Sequence, residues 1–224
     1  MTEDNAPVRH GPPWWAILLI ALAAAAGAYF GQQLWRPDGA MTGSVLPGDG
    51  VLIRYPVAKA VSPVELIDRH GQPWSPEALR GRYTVAFFGF THCPDICPTA
   101  LAMLKSARQQ WQALPEAQQP QVLFVSVDPK RDTPTQLGQY VDFFDPAILA
   151  VTGPEDQMLP WTRSLGIVYE FTATGPGEFD YTVDHSGSIL LIDPQLQLIG
   201  IYRPPHNAAQ LAASVAGVVQ ANAP

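Results

Sequence analysis

Cys93 and Cys97 are the only two cysteines in 224 residues, and they stand in Phe88-Gly89-Phe90-Thr91-His92-Cys93-Pro94-Asp95-Ile96-Cys97-Pro98. Three intervening residues make about one helical turn, which brings the two Cα atoms to roughly 6 Å. Sulfurs at that separation can close a disulfide or share one soft metal ion. Pro98 suits the first turn of a helix, and the free N–H groups of that turn favour thiolate over thiol, so a lowered cysteine pKa is expected. A single cysteine is ordinarily a small buried apolar residue. A pair that exhausts the chain's cysteines and shares a proline-flanked turn argues for chemistry instead.

The elements around the pair must hold it. Tyr83 to Phe90 is an apolar, β-favouring run and Thr99 to Trp111 is helix-like, so the cysteines fall at a strand-to-helix junction. Val64–Asp68 and Trp74 read as a short hairpin, and Val122–Val127 as a buried central strand. Thr133, Pro134 and Gln136 fit an N-cap, a first-turn proline and a capping-box glutamine, opening a helix that runs to about Phe144. Ile148–Thr152 follows as a strand and Glu155–Leu165 as a helix. Tyr169–Thr172 and Phe179–Val183 form a hairpin around Gly175-Pro176-Gly177, with His185 expected at its tip. Ile189–Ile192 and Leu198–Tyr202 flank a turn at Asp193-Pro194, and Asn207–Val219 closes the chain as a helix. Strands alternating with helices predict an α/β fold with a central mixed sheet flanked by helices.

Composition bounds the function. A net charge of −7 lacks the basic footprint of a nucleic-acid binder. Trp14 to Gly31 is eighteen residues without a charge, about 27 Å as a helix and close to a bilayer's hydrocarbon thickness. With Trp14, Trp15 and Trp35 as interface anchors it reads as a single transmembrane helix, against the alternative of a signal peptide cleaved near Ala24-Ala25-Ala26. The expected organisation is a short cytoplasmic tail 1–13, an anchor 14–35, a Pro/Gly-rich linker 36–58 with one extended piece at Val51–Tyr55, and a folded domain 59–224. Arg9 and Arg36 balance across the anchor, so charge alone leaves the orientation open.

The cysteine block resembles the signature of the SCO/SenC family, membrane-anchored thioredoxin-like proteins that handle copper during assembly of cytochrome c oxidase. Ser126-Val127-Asp128-Pro129 with Arg131-Asp132-Thr133-Pro134 is similar to the family's second block. Val183-Asp184-His185-Ser186 carries its distant histidine. The resemblance runs from about Pro63 to Pro205, and departs at Ser62-Pro63-Val64, where the family shows a small-residue and phenylalanine pattern. It implies a thioredoxin-like fold and one copper per chain, as Cu(I) or Cu(II), held by Cys93, Cys97 and His185. It also implies an upstream copper donor, the copper-bearing oxidase subunit as client, and a bacterial inner-membrane location with the domain in the periplasm. No substrate turnover is implied.

The residues alone leave copper and zinc both open, since two thiolates and an imidazole suit either. They also leave a thiol-disulfide reductase, which needs only Cys93 and Cys97. A scaffold that grips an oxidase subunit without chemistry would need neither, and no peroxidase motif surrounds the pair. Asp184 or Ser186 is a candidate to orient the imidazole. His92 reads as tuning or packing, and His70 and His206 as solvated. Asp128, Arg131 and Asp132 fit a turn and helix cap equally well and stay outside the expected site.

Overall fold

The computed structural model describes residues 15, 18–19, 21–27 and 52–222. Residues 15–27 belong to a unit distinct from the folded one. Those described are helical, and Trp15, Leu18, Leu19 and Leu22 are more than half exposed. Among the described residues no helix is long and apolar enough to cross a membrane. The remainder of the expected anchor, the tail before it and most of the linker lie outside the described residues.

The folded unit opens with β1 (Leu52–Ala60), β2 (Leu66–Asp68) and β3 (Pro73–Trp74), followed by β4 (Thr84–Gly89) and α1 (Ile96–Trp111). Next come β5 (Gln121–Ser126), α2 (Pro134–Phe144), β6 (Leu149–Thr152) and α3 (Glu155–Ser164). β7 (Tyr169–Ala173), β8 (Tyr181–His185), β9 (Ile189–Ile192), β10 (Gln197–Tyr202) and α4 (Ala208–Ala221) complete it. Eight strands form one mixed sheet in the order β1-β10-β9-β4-β5-β6-β2-β3. β4, β5 and β6 run parallel, and β9 lies antiparallel to β4. This is the thioredoxin-like arrangement the resemblance implies.

All six residues of β4 are buried, as an apolar run at the centre of a two-sided sheet requires. Alternation along it assigns the faces. Phe88 packs on Trp161 of α3, with ring centroids 5.8 Å apart. Phe87 stacks on Phe124, which in turn meets Tyr140 of α2. Helices therefore cover both faces. Trp111, at the end of α1 and fully buried, donates its indole N–H to the Ala212 carbonyl of α4 at 3.0 Å, fixing the cysteine-bearing helix against the closing one.

One boundary and one side-chain cap differ from the sequence reading. Of the extended piece at Val51–Tyr55, the residues from Leu52 onward belong to a longer strand, β1, whose partner is β10, so the folded unit includes residues placed in the linker. Its outer half is exposed, which masks it as a linker in a one-dimensional pattern. Thr133 caps α2 as expected, accepting from the Gln136 N–H. The Gln136 side chain does not close the capping box; its amide faces Thr91 Oγ1 and His92 Nε2, both at 3.5 Å.

Candidate metal centre

β4 ends at Gly89, and the chain turns through Thr91–Asp95 before α1 begins at Ile96. Cys97 therefore sits in the first turn of α1, fully buried, and Pro98 follows where its missing N–H costs nothing. Cys93 lies in the turn, half-buried, and its Sγ accepts from the Cys97 N–H at 3.4 Å. The two cysteines are free thiols.

Gly89 makes the burial of Cys97 sterically possible. A Cβ at that position would stand 2.5 Å from Cys97 Sγ and 3.2 Å from the Phe124 ring. Gly89→Ala is expected to lower stability by about 1–3 kcal/mol through overpacking, read as a reduced Tm, and to push the Cys97 sulfur out of its seat. An unchanged Tm with unchanged thiol reactivity would contradict this. The signal was present in the sequence, since a glycine inside a buried strand marks close approach by another group.

His185 arrives from the other side. It is the last residue of β8 and pairs with Tyr169, the first of β7, so it sits at the open base of the hairpin and not at the tip. The turn occupies the other end, around Gly175–Asp180, where Asp180 O accepts from the N–H groups of Thr174 and Gly175. At the base the imidazole meets the core: Phe90 and Phe87 approach it edge-on, at 5.8 and 6.1 Å between centroids.

Nδ1 of His185 lies 3.2 Å from the Ser186 carbonyl oxygen. A carbonyl only accepts, so Nδ1 carries the proton and Nε2 keeps its lone pair, the tautomer a metal ligand needs. Nε2 stands 3.4 Å from Cys97 Sγ. The orienting partner is thus the backbone of Ser186. Asp184 instead turns outward and accepts from Thr172 Oγ1 at 2.9 Å.

The ligand atoms of Cys93, Cys97 and His185 all lie within 4.8 Å of one another. Donors held about 2.0–2.3 Å from one metal stand about 4 Å apart in a three-coordinate site, so the cluster needs little adjustment to close on an ion. It opens into a cleft of about 300 Å³ lined by Phe90, Pro94, Asp95, Ile96 and the β8 residues. The cleft gives an incoming ligand a route to the sulfurs.

The two sulfurs divide one proton between them. The Cys97 thiol beside it holds Cys93 down to about 3, opposed by burial and aided by the N–H groups of Cys97 and Asp95. Cys97 is pushed far up by the adjacent Cys93 thiolate and by its own burial. The resting pair is one thiolate and one thiol. Tyr140, whose buried hydroxyl makes no hydrogen bond, is also raised, by burial first and then by the two sulfurs.

The remaining histidines divide differently from expectation. His70 is exposed, as expected. His206 is only partly exposed, and its Nε2 lies 2.7 Å from the Gly187 carbonyl. His92 stays out of the cluster, with Nδ1 3.1 Å from Thr91 Oγ1 and 3.5 Å from the Asp132 carboxylate.

Asp128, Arg131 and Asp132, set aside in the sequence reading, are drawn into the site's frame. Asp132 is fully buried and satisfied, accepting from the Thr91 N–H at 2.8 Å, Thr91 Oγ1 at 2.6 Å and Ser126 Oγ at 2.5 Å. It ties the cysteine turn to β5. Asp128, also fully buried, accepts from the Tyr181 hydroxyl at 2.6 Å and from Arg131 Nε at 2.5 Å.

A family model described as SCO1/SenC matches residues 55–220. A Stutzerimonas stutzeri protein, whose name assigns it copper binding provisionally, is 34% identical over 190 residues, or 85% of this chain and 87% of that protein. The mitochondrial SCO2 homolog of Bos taurus is 38% identical over 67% of this chain, which spans only 56% of that protein's length. Arabidopsis thaliana ScoI, solved with copper bound, superimposes with a TM-score of 0.67 at 32% identity, over 72% of this chain and 99% of that one. The match covers β4, the cysteine turn and the hairpin that brings His185 to it, and on these grounds the chain belongs to the SCO1/SenC family.

Proposed function

We propose that the chain binds one copper ion through Cys93, Cys97 and His185 and passes it to, or prepares, the copper centre of a cytochrome c oxidase subunit during assembly. The observation that carries this is the convergence of two sulfurs and one imidazole nitrogen within 4.8 Å at the mouth of a cleft. Soft thiolates favour Cu(I), and the imidazole helps to accommodate Cu(II). Copper is cargo here: it leaves by ligand exchange, with incoming thiolates or imidazoles displacing the three donors in turn. The uncharged run Trp14–Gly31 supports an anchor in the bacterial inner membrane, with the folded domain in the periplasm.

A second reading, reduction of a disulfide in the client, is favoured by the free thiol pair and the depressed Cys93. The Cys93 thiolate would attack the client disulfide. Cys97, once deprotonated, would then resolve the mixed disulfide, leaving a Cys93–Cys97 bond and a reduced client. Both activities serve one end, because a client must be reduced before its cysteines can take copper.

The test is copper loading of the reduced chain, wild type and His185→Ala, with stoichiometry and absorption read together. One copper per wild-type chain is expected, with sulfur-to-copper charge-transfer bands on Cu(II) that shift or weaken in the variant. A wild-type chain that holds no copper while its thiols cycle readily would leave only the reductase.

A further inference from the structure

The β7–β8 hairpin forms a two-stranded sheet of its own, separate from the eight-stranded one. Among the described residues, the hydrogen bonds that join it to the rest of the unit run to the β5–α2 loop, apart from the contact between His185 and Cys97. Arg131 Nη1 donates to the carbonyl oxygens of Tyr181 at 2.8 Å and Phe179 at 3.4 Å. Tyr181 in turn donates its hydroxyl to Asp128.

The Arg131 guanidinium lies 3.7 Å from the Tyr181 ring centroid and 5.6 Å from that of Phe90, the ring that packs edge-on against the imidazole. Its Nη2 is buried without a hydrogen bond, so the flat cation is spent on these two rings. Burial and the bond to Asp128 push the Tyr181 phenol up to about 12, which keeps it a donor.

We infer that Arg131, braced by Asp128, is a positioning residue for His185: it seats β8 through Tyr181 and so sets where the imidazole stands relative to the sulfurs. The same loop carries Asp132, which grips the cysteine turn through Thr91. One short segment thus holds both halves of the metal centre in register. A lysine cannot replace the arginine, because it lacks both the fork that bonds Asp128 through Nε while Nη1 reaches the hairpin carbonyls and the plane that stacks. The inference rests on the reading of Cys93, Cys97 and His185 as copper ligands.

The test is Cu(I) affinity by competition with bathocuproine disulfonate, for Arg131→Lys and Tyr181→Phe, each alone and combined with His185→Ala. Each single variant is expected to lose affinity by about tenfold, the lower end for groups that orient a ligand. In the His185→Ala background the loss should vanish, because the residue acted through has gone. Two results overturn the inference: folded single variants with wild-type affinity, or an equal loss in both backgrounds. If Arg131→Lys does not fold, Tyr181→Phe decides. A wild-type chain that binds no copper sinks the copper reading alone. The clamp is then judged on the metal-free chain, where Tyr181→Phe should speed amide exchange across 181–185 and leave β4 unchanged; unchanged exchange overturns it.

Discussion

A chain carrying Cys97→Ser is expected to lose more than about 100-fold in Cu(I) affinity while keeping its fold. Groups that merely orient a ligand already change metal affinity by about 10–100-fold, so loss of a soft donor should exceed that range. Serine occupies less space than cysteine in the pocket that Gly89 leaves open, which is why the fold survives. The state of the pair adds a second signature. Cys97 holds the proton at rest, so copper must displace it, and affinity in the wild type should rise about tenfold per pH unit while that thiol stays protonated in the free chain. In Cys97→Ser the dependence that belongs to that proton should disappear, because a serine hydroxyl has no thiol proton to release and still donates to the Cys93 sulfur, keeping it ionised. Chelator competition at two pH values, with circular dichroism to confirm the fold, gives both numbers. Wild-type affinity in a folded Cys97→Ser would remove Cys97 from the ligand set.

The elements that carry the site were legible because each is encoded locally. The apolar run into Gly89, the proline after Cys97 and the Thr133-Pro134 cap each act within a turn or a strand, and each stands within a few residues of where it was expected. The position of His185 within its hairpin was not. Hairpin and turn were read correctly, but which end meets the core depends on how the pair seats on the distant β4, and no local pattern contains that.

The role of Asp128, Arg131 and Asp132 was hidden for the same reason. Thr91 and Asp132 are 41 residues apart and Tyr181 and Asp128 are 53 apart, whereas a turn and a cap account for the same side chains from nearest neighbours. Gln136 is the converse case: a strong local motif predicts a capping box, and the tertiary pull of Thr91 and His92 overrides it. In both cases the local explanation was sufficient and therefore misleading.

The thiol pair makes the other large prediction, a pH profile of alkylation that separates the two cysteines. At rest Cys93 is a half-buried thiolate at the cleft, and Cys97 is a fully buried thiol behind it. Iodoacetamide should label Cys93 alone in the folded, reduced chain. The rate at one pH is a poor witness, because nucleophilicity falls as pKa falls and largely cancels the gain in thiolate fraction. The slope decides. An ordinary thiol with a pKa near 8.5 gains about tenfold in rate per unit from about pH 5 to 8, whereas Cys93 should stay nearly flat across that window. Stability follows with its sign fixed by linkage. The native state binds fewer protons at Cys93 than the unfolded chain does, so this group stabilises the fold fully above the unfolded thiol's pKa, and its contribution is lost as pH falls toward the folded value. Cys97 acts oppositely, since above that same pKa the unfolded chain sheds a proton that the native chain keeps, and stability declines as pH rises further. Together they place the pair's greatest contribution near pH 8.5, roughly the ordinary thiol pKa. A tenfold-per-unit rise at Cys93, or equal labelling of both cysteines, would show that the two sulfurs do not share one proton, and with it would go the account of a pair poised to exchange that proton for copper.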